Sequence, residues 1–350
     1  MPVSSSTVKI TEGFIPFSVL SLPEKPCQTY YKVIGTLNKD TTPLVALHGG
    51  PGTGHEYLLI LADLGVPLIL YDQIGCGKST HYPEKIGDAS FWTVELFLDE
   101  LSTVLRYLGV QDNYNLAGHS WGGMLAANHA ILQPKGLKRL ILMSAPADMK
   151  LWAKAQDRLR KLLPQEVQDI MEKHEKEETT ESEEYQGAMK AYYKRFLCTV
   201  WPLPDSILHS LGELEKDPTV YMTMNGPSEF HTTGSLKNWT VVEDAHKINA
   251  PTLLTNGRLD EAQDEVVIPF FKAIPRVKWV RFENSDVQKI VKQLVEKFSR
   301  RKSSSDPTSK VDARTDLQSN LGRNPTDIHG TPQVHRSKQS VTLTALPWTS

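Results

Sequence analysis

Apolar positions along the chain predict strands that alternate with helices. Short continuous apolar runs are typical of strands buried on both faces of a sheet. Such runs occur at 43–47, 67–71, 114–117 and 137–143. Between the second and third runs, residues 93–108 place apolar side chains at helical spacing, and Gly109 supplies the end of that helix. These elements predict an α/β fold with a mostly parallel sheet and helices on both faces.

The pattern differs before and after this block. Residues 7–34 alternate apolar and polar positions, which predicts short antiparallel strands such as 28–34. Between 144 and 247 the chain is charged and helical in pattern, without a strand–helix unit, and we interpret it as an inserted helical cap. Strand, helix and strand patterns then resume at 251–257, 264–274 and 277–282.

These features divide the chain into four predicted segments. An α/β core begins the chain, the cap interrupts it, and the second part of the core follows the cap. After residue 299 the chain stays polar with almost no periodicity, which is typical of disorder. The predicted bounds are 1–143 and 248–299 for the two parts of the core, 144–247 for the cap, and 300–350 for the disordered tail.

A nucleophile motif lies where the third buried strand meets a helix. The segment 118–122 reads GHSWG, follows the strand 114–117 and opens a helical pattern at 124–130. In that context G-x-S-x-G is a nucleophile elbow, whose strained corner exposes the serine at the edge of the sheet. The glycines leave room for the tight turn, and the helix N-terminus favours negative charge. We therefore predict Ser120 as a nucleophile.

Composition and charge exclude several classes of function. The 350 residues are 39% hydrophobic and 23% charged, enough to bury a large core. A net charge of −2, without a basic stripe interleaved with aromatic residues, predicts no nucleic-acid partner. No run approaches the ~20 apolar residues of a membrane span, and the first ten residues lack a signal-peptide pattern. We therefore expect no membrane association.

Cysteines and glycine-rich loops exclude further chemistry. Three widely spaced cysteines predict neither a disulfide framework nor a cysteine-based metal site, and they fit a reducing, cytoplasmic compartment. The loop 48–52 (HGGPG) lacks the Lys-Ser/Thr pair of a phosphate-binding loop, and 75–79 (GCGKS) lacks the first glycine of that loop. We expect no metal and no cofactor.

Several motifs together resemble those of the proline iminopeptidases and the related amino-acid amidases. In chain order they are HGGPG at 48–52, DQIGCGKS at 72–79, GHSWGG at 118–123, MNGPSEF at 224–230 and NGRLDE at 256–261. The resemblance covers about residues 13–285. It implies an α/β-hydrolase fold with a helical cap, and a serine hydrolase that takes a small peptide or an aminoacyl amide as substrate.

The resemblance also implies roles for individual residues. Ser120 matches the nucleophile and Asp260 matches the acid that orients an imidazole, in the chain order that α/β hydrolases share. A helix cap is the alternative role for Asp260, and Asp264 is the reserve candidate for the acid. The backbone amides of Gly50 and Trp121 match the oxyanion hole, which requires only main-chain donors.

An aminopeptidase must also hold the free α-amino group of its substrate, which requires a carboxylate near the nucleophile. By motif position the resemblance implies Glu229 and Glu261 for this role, with a place on the surface as the alternative for each. Trp121, Phe230 and Trp239 are candidates for the wall of a pocket for a small apolar ring. Packing in the core is the alternative for these three aromatic residues.

The sequence departs from the family at the catalytic histidine. In the family this histidine follows the last strand by a few residues, whereas here 285–291 reads SDVQKIV and no histidine occurs between His246 and His329. Apolar positions from 287 to 298 still follow a helical stripe, so we predict that the final helix remains while the histidine loop is absent. No catalytic histidine is identified, because the tail that contains His329 and His335 is expected to be disordered and cannot preorganise an imidazole.

Three hypotheses remain open. The first is an active prolyl-type aminopeptidase or amidase whose gene model lacks the segment that encodes the histidine loop. The second is a catalytically impaired hydrolase fold that acts in binding, since a serine without its base is a poor nucleophile. The third keeps the fold but processes esters or amides in a biosynthetic pathway. The transcript sequence across codons 285 and 286 separates the first two. We interpret His48 and His119 as bracing and packed residues rather than as the base.

Overall fold

The structure is a computed structural model that describes residues 8–22, 24–198 and 200–283. The final helix predicted at 287–298 and the tail predicted at 300–350 lie outside the described residues. The position at which the family carries its catalytic histidine also lies outside them.

An eight-stranded, mostly parallel sheet forms the centre of the described part of the chain and confirms the predicted fold class. Its strands are β1 Ile10–Phe17, β2 Cys27–Ile34, β3 Leu44–Leu47, β4 Leu68–Tyr71, β5 Tyr114–His119, β6 Leu137–Met143, β7 Thr252–Gly257 and β8 Val277–Phe282. They lie in the order β1-β2-β4-β3-β5-β6-β7-β8. β1 pairs antiparallel with β2, and β2 with β4, whereas the pairs from β4 to β8 are parallel.

The helical patterns at 93–108, 124–130 and 264–274 correspond to helices of the structure, and further helices form within 144–247. The helices are α1 Val94–Tyr107, α2 Trp121–Ile131, α3 Met149–Arg160, α4 Gln165–Lys176, α5 Glu183–Phe196, α6 Asp205–Lys216, α7 Thr219–Met224 and α8 Asp264–Ala273. Short 3₁₀ segments cover Glu56–Leu64, Pro83–Lys85, Ser235–Asn238 and Ala245–Lys247. α1 begins where the Thr93 hydroxyl accepts a hydrogen bond from Leu96 N at 3.2 Å, which satisfies one of the unpaired amides of the first turn.

Alternate residues of the central strands pack on opposite faces of the sheet, as the pleat requires. Val45 of β3 belongs to the larger apolar core, together with Phe97 of α1. Its neighbour Ala46 packs on the other face, with Leu58 of the 3₁₀ segment Glu56–Leu64. Because both faces are covered, these strands show continuous apolar sequence rather than alternation.

The five helices α3 to α7 lie between β6 and β7, inside the segment predicted as a cap. The bounds of that segment, 144–247, stay a prediction. The helices have an apolar cluster of their own, which includes Leu159, Met171, Tyr185 and Tyr192. α6 packs on the 3₁₀ segment Glu56–Leu64 and α3 packs on α8, so the cap contacts the core at the carboxyl end of the sheet.

The helices of the described ranges are each too short or too polar to cross a bilayer.

Candidate active site

Ser120 lies at the sharp turn between β5 and α2. Its backbone has φ 51° and ψ −120°, a strained conformation for a residue with a side chain. A Cβ on Gly118 would collide with the carbonyl oxygen of Gly122, and a Cβ on Gly122 would collide with that of Leu47. Both positions therefore require glycine, because the strand, the turn and the helix approach one another too closely for any other residue.

The glycine loop, residues 48–53, follows β3 and faces this turn. Tyr57 Oη accepts a hydrogen bond from Gly49 N at 2.7 Å, and Thr53 Oγ1 donates to Gly49 O at 3.0 Å. His48 is fully buried; its Nε2 accepts from Gln73 N at 3.0 Å, and its Nδ1 donates to Gly49 O at 3.0 Å. These bonds account for His48 as a residue that braces the loop.

Trp121 fixes the other side of the turn. It is the first residue of α2, so its amide is one of the donors that have no partner within the helix. Its indole Nε1 donates to Gln73 Oε1 at 2.8 Å, and its ring packs on Phe97 with centroids 5.4 Å apart. Trp121 is therefore buried in the core, while its backbone stays beside Ser120.

Asp260 follows β7 and is 1% exposed. Its Oδ2 accepts hydrogen bonds from Ser144 Oγ at 2.5 Å and from Gly257 N at 3.3 Å, and its Oδ1 accepts from Ala262 N at 2.9 Å. These donors fix the orientation of the carboxylate. The residue before α8 is Gln263, so Asp260 does not hold the cap position of that helix.

Asp264, the reserve candidate for the acid, is engaged elsewhere. It lies in the first turn of α8, where its Oδ2 accepts from Arg281 at 2.6 Å and its Oδ1 from Asn256 Nδ2 at 3.0 Å. It does not line the cavity between the cap and the sheet.

This cavity, of about 270 Å³, separates the cap from the carboxyl end of the sheet. Ser120, Asp260, Gly50, Glu229 and Glu261 all line it, so the structure brings together five of the six site residues predicted from the sequence. The sixth, Trp121, is adjacent to Ser120 in the chain. Residues from β3, β5, β7 and the cap thus meet at a single site.

Two carboxyl groups, those of Glu229 and Glu261, face this cavity. Tyr221 Oη donates to Glu229 Oε1 at 3.1 Å, and Trp152 Nε1 holds the Glu229 backbone carbonyl at 2.7 Å. Gln156 Nε2 donates to the Glu261 backbone carbonyl at 3.2 Å. Glu261 Oε1 is buried and has no hydrogen-bond partner among the described residues. A buried, partly unsatisfied carboxyl pair favours a cationic ligand.

Burial changes the protonation of this pair. Loss of hydration raises the pKa of Glu229 to about 7. Burial also raises the pKa of Glu261 well above its ordinary value, and the carboxyl groups of Glu229 and Asp260 raise it further. An ammonium group between the two glutamates would offset both effects, because it pairs with the ionised form of each.

The aromatic wall differs from the one suggested by the sequence. Phe230 packs inside the cap against Tyr192, with ring centroids 4.5 Å apart, and Trp239 packs against the larger core. Phe230 and Trp239 are therefore packing residues rather than parts of the cavity wall, and the same holds for Trp121. The aromatic residues that do line the cavity are Tyr57, Trp152, Tyr193 and Tyr221. They lie on helical segments that contain no recognisable motif, so only the three-dimensional structure shows that they line the cavity.

His119 also lines the cavity, beside Ser120. Its Nδ1 accepts from Tyr57 Oη at 2.9 Å, and burial lowers the pKa of its imidazole to about 4. The ring is therefore neutral and already bonded to Tyr57, which fits a packed residue better than a base.

One group of residues has the spacing of metal ligands. Ligand atoms of His55, Glu56 and Asp72 lie within 4.8 Å of one another. However, His55 Nδ1 donates to Asp72 Oδ1 at 2.7 Å, and the amides of His55 and Lys78 donate to the same carboxylate at 3.1 Å and 3.0 Å. These bonds use both Asp72 oxygens and explain the close approach as bracing of the loop after β4.

A serine at a strand–helix turn, a buried acid after a later strand and a glycine loop after an earlier one define an α/β hydrolase of the serine type. The family model described as the alpha/beta hydrolase fold matches residues 42–286. The proline iminopeptidase of Clostridium botulinum is 36% identical over 287 residues, which cover 79% of this chain and 92% of that relative.

Solved structures agree with this assignment. The structure of VinJ is 42% identical, with a TM-score of 0.77 over 83% of this chain and 98% of that one. The proline iminopeptidase of Mycobacterium smegmatis is 35% identical, with a TM-score of 0.73 over 85% and 100% of the two chains. The chain belongs to the proline iminopeptidase family of α/β hydrolases, and it is a serine hydrolase resembling proline iminopeptidase.

Proposed function

We propose that this serine hydrolase removes a small N-terminal amino acid, proline among them, from peptides or amides through an acyl-enzyme. One observation carries the proposal: the carboxyl groups of Glu229 and Glu261 face the same cavity as Ser120. A hydrolase of blocked substrates has no use for two buried acids at its nucleophile. An aminopeptidase needs them, because its substrate carries a free ammonium group next to the scissile carbonyl.

Each residue has a defined task in this reaction. The glutamates bind the ammonium and thereby place the carbonyl carbon at Ser120 Oγ, which attacks it. The amides of Gly50 and Trp121 stabilise the oxyanion of the tetrahedral intermediate. Asp260 orients the proton acceptor of the serine and stabilises its positive charge. Collapse of this intermediate breaks the C–N bond, and the amine leaves with a proton. Water then hydrolyses the acyl-enzyme and releases the free amino acid.

Hydrolysis of aminoacyl β-naphthylamides tests this proposal. The chain is expected to cleave prolyl- and alanyl-β-naphthylamide but not their N-acetylated forms. Ser120→Ala should abolish turnover, while Glu229→Gln should raise KM by about 10- to 100-fold through loss of a charge-assisted hydrogen bond. Glu172→Gln, at an exposed glutamate of α4, serves as the matched control and should change neither parameter.

Several outcomes would contradict the proposal. Turnover that survives Ser120→Ala would exclude the serine mechanism. Cleavage of the acetylated substrates, unaffected by Glu229→Gln, would favour an ester or amide hydrolase without amine recognition. If calorimetry shows that prolinamide binds but no substrate is turned over, a binding function would remain and the hydrolytic function would be excluded. Absence of both binding and turnover would overturn the proposal altogether.

The substrate class and the cellular compartment are part of the same proposal. The partner is a small-molecule substrate, a short peptide or an aminoacyl amide. The three cysteines are buried as thiols in the described part of the chain, which supports the reducing cytoplasm as the compartment.

A further inference from the structure

Ser144 has a backbone conformation that residues with a side chain rarely adopt, with φ 48°. Among the described residues other than glycine, positive φ also occurs at Ser120, Gln133 and Glu178. Gln133 and Glu178 lie two residues past the ends of α2 and α4, where left-handed backbone commonly terminates a helix. Ser120 is the proposed nucleophile. Ser144 follows a strand, β6, so helix termination does not explain its strained backbone.

The turn after β6 connects the proposed nucleophile to the proposed acid. Met143 O accepts a hydrogen bond from Ser120 N at 2.9 Å. Ser144 N donates to Thr255 O of β7 at 2.7 Å, and Ser144 Oγ donates to Asp260 Oδ2 at 2.5 Å. Two consecutive residues of the chain therefore contact the backbone of the nucleophile and the carboxylate of the acid.

Ser144 is buried between the elements that carry these two residues. It is 3% exposed and lines the same cavity as Ser120 and Asp260. A Cβ on Gly123 would lie 2.4 Å from Ala145 Cβ, so α2 packs closely on the chain just past Ser144. Close packing on α2 and the backbone bond to β7 together hold the turn in its strained conformation.

The bond from the Ser144 hydroxyl is a strong hold on the acid. The carboxylate of Asp260 also accepts from Gly257 N at 3.3 Å, on Oδ2, and from Ala262 N at 2.9 Å, on Oδ1. A hydroxyl at 2.5 Å from a carboxylate oxygen forms a charge-assisted bond, which is stronger than a bond between neutral groups. An acid that orients an imidazole must keep a fixed direction, and loss of this donor would weaken the hold on Oδ2.

We infer that Ser144 is a positioning residue, which aligns Asp260 with Ser120 through the turn after β6. The inference rests on the proposed function for the roles of those two residues, and it is independent of which amino acid or amine the substrate contains. Ser144 acts through Asp260: its hydroxyl holds the carboxylate in the direction that the proton acceptor requires. The left-handed backbone at this position is the conformation that directs the hydroxyl to the acid while the amide stays bonded to β7.

Labelling of the full chain with an alkyl fluorophosphonate tests the inference. Ser120 Oγ forms a bond to phosphorus, fluoride leaves, and imidazole added to the solution takes the hydroxyl proton. Rates are measured with and without imidazole, and variants are compared under the condition in which the unaltered chain reacts faster. Ser144→Ala should label about 10- to 100-fold more slowly, through loss of a hydrogen bond to a charged group. With prolyl-β-naphthylamide its kcat should fall while KM stays within threefold.

A second substitution at the same position separates positioning from structural support. Ser144→Gly also lacks the hydroxyl but adopts φ 48° without strain, so it should resist urea at least as well as Ser144→Ala. A positioning role predicts equally slow labelling of both variants, and a merely structural role predicts labelling that recovers with stability. If Ser144→Ala does not fold, Ser144→Gly decides.

Ser79→Ala is the matched control. Ser79 is also buried, its Oγ donates to Asp72 O at 2.5 Å, and it does not line the cavity. This variant should lose stability and keep the labelling rate of the unaltered chain. A rate that falls as far as that of Ser144→Ala would show that loss of any such buried hydroxyl slows labelling, which would overturn the inference.

The remaining outcomes separate the inference from the proposed function. Equal labelling rates for Ser144→Ala and the unaltered chain overturn the inference, and the proposed function stands if Glu229→Gln still raises KM for prolyl-β-naphthylamide. If prolyl substrates are not cleaved but both Ser144 variants label slowly, the proposed function fails and the positioning role stands, because the probe carries no ammonium group. If the unaltered chain does not label under either condition, Ser120 is not a reactive nucleophile and both fail.

Discussion

The hydroxyl group of Tyr57 links the glycine loop to the residue beside the nucleophile. It accepts a hydrogen bond from Gly49 N and donates one to His119 Nδ1. The residue next to Gly49 is Gly50, whose amide is the proposed oxyanion donor. Tyr57 therefore sets the direction of that donor without touching the reacting atoms, and we assign it a positioning role.

Removal of this hydroxyl is expected to affect the chemical step. Tyr57→Phe leaves the buried amide of Gly49 without a partner, which costs about 1–3 kcal/mol and allows the loop to shift. We expect kcat for prolyl-β-naphthylamide to fall by about 10- to 100-fold, with KM changed by less than threefold, because amine binding lies elsewhere. Steady-state kinetics separate the two parameters.

A second buried tyrosine provides the control. Tyr114 Oη lies 2.6 Å from His129 Nε2, so Tyr114→Phe also breaks a buried tyrosine–histidine bond. This variant should lose stability and keep its kcat. Equal kcat values for Tyr57→Phe and the unaltered chain would show that the hydroxyl does not position the loop.

Residues of the site differ in how far the sequence could predict them. Ser120 and Gly50 lie in motifs at strand ends, where parallel strands gather their loops, and the family resemblance identified Asp260, Glu229 and Glu261. Tyr57 and the other aromatic residues of the cavity lie on helical segments, where an aromatic residue is usually part of a core. Phe230 is a candidate for the pocket wall with core packing as the alternative, and it packs inside the cap.

At the level of single elements, α1 contains a buried acid that its apolar spacing does not reveal. Glu100 is fully buried on the face of this helix that packs toward the sheet. Thr29 Oγ1 donates to its Oε1 at 2.5 Å, and Ile74 N donates to its two oxygens at 2.9 Å and 3.1 Å. The carboxyl group thus joins α1 to β2 and to the loop after β4. Loss of hydration raises the pKa of Glu100 to about 8.

This pKa predicts how stability depends on pH. The carboxyl binds its proton more tightly in the folded state than in the unfolded state, where its pKa is about 4.3. Its contribution to stability is therefore present below the unfolded pKa and is lost as the pH rises through about 8. Glu100→Gln keeps the shape and does not titrate, so it should unfold with a smaller pH dependence and be more stable than the unaltered chain at pH 8. Each tenfold difference in proton affinity between the folded and unfolded states corresponds to about 1.4 kcal/mol.

Urea unfolding between pH 5 and pH 9 measures this difference. Asp99→Asn, at the exposed neighbouring position of the same helix, is the control and should keep the full pH dependence. Identical slopes for Glu100→Gln and the unaltered chain would show that Glu100 is ionised throughout this range.

Elements of the core were easier to predict than the contacts of the cap. The strands and α1 have apolar patterns that determine both their type and their place in a parallel sheet. The cap helices also have helical patterns, but an amphipathic face does not specify its partner. The 3₁₀ segment Glu56–Leu64, on which α6 packs, is a mixed apolar run without a clear period, and no element was predicted there.

At the scale of the molecule, the sheet assembles the site from distant parts of the chain. Ser120 and Asp260 follow β5 and β7, which flank β6, so both residues lie at the carboxyl end of the same sheet. The sequence has no histidine between His246 and His329 that could serve as the base for Ser120 and Asp260. Because His119 is bonded to Tyr57 and no histidine base is identified in the described part of the chain, we expect Ser120 and Asp260 to use a base supplied from solution.

Added imidazole should therefore accelerate the hydrolysis of prolyl-β-naphthylamide. We expect a saturable increase of about 10- to 100-fold in turnover, short of the 10²–10⁴-fold contribution typical of a positioned base. Ser120→Ala should show no response, and Asp260→Asn a much weaker one. Acetate at equal ionic strength controls for salt. A rate independent of imidazole would mean that the chain already holds its proton acceptor.

The insertion of the cap between β6 and β7 also affects synthesis of the chain. About 140 residues separate Ser120 from Asp260, so ribosomes that add roughly 5–20 residues per second complete the acid about 7–28 s after the nucleophile. Throughout that interval β6 has no neighbour on the side that β7 later covers, while the cap helices can form from local contacts. An apolar strand edge exposed for this long favours pairing with other nascent chains. Newly made copies should therefore depend on molecular chaperones until the second part of the sheet is translated.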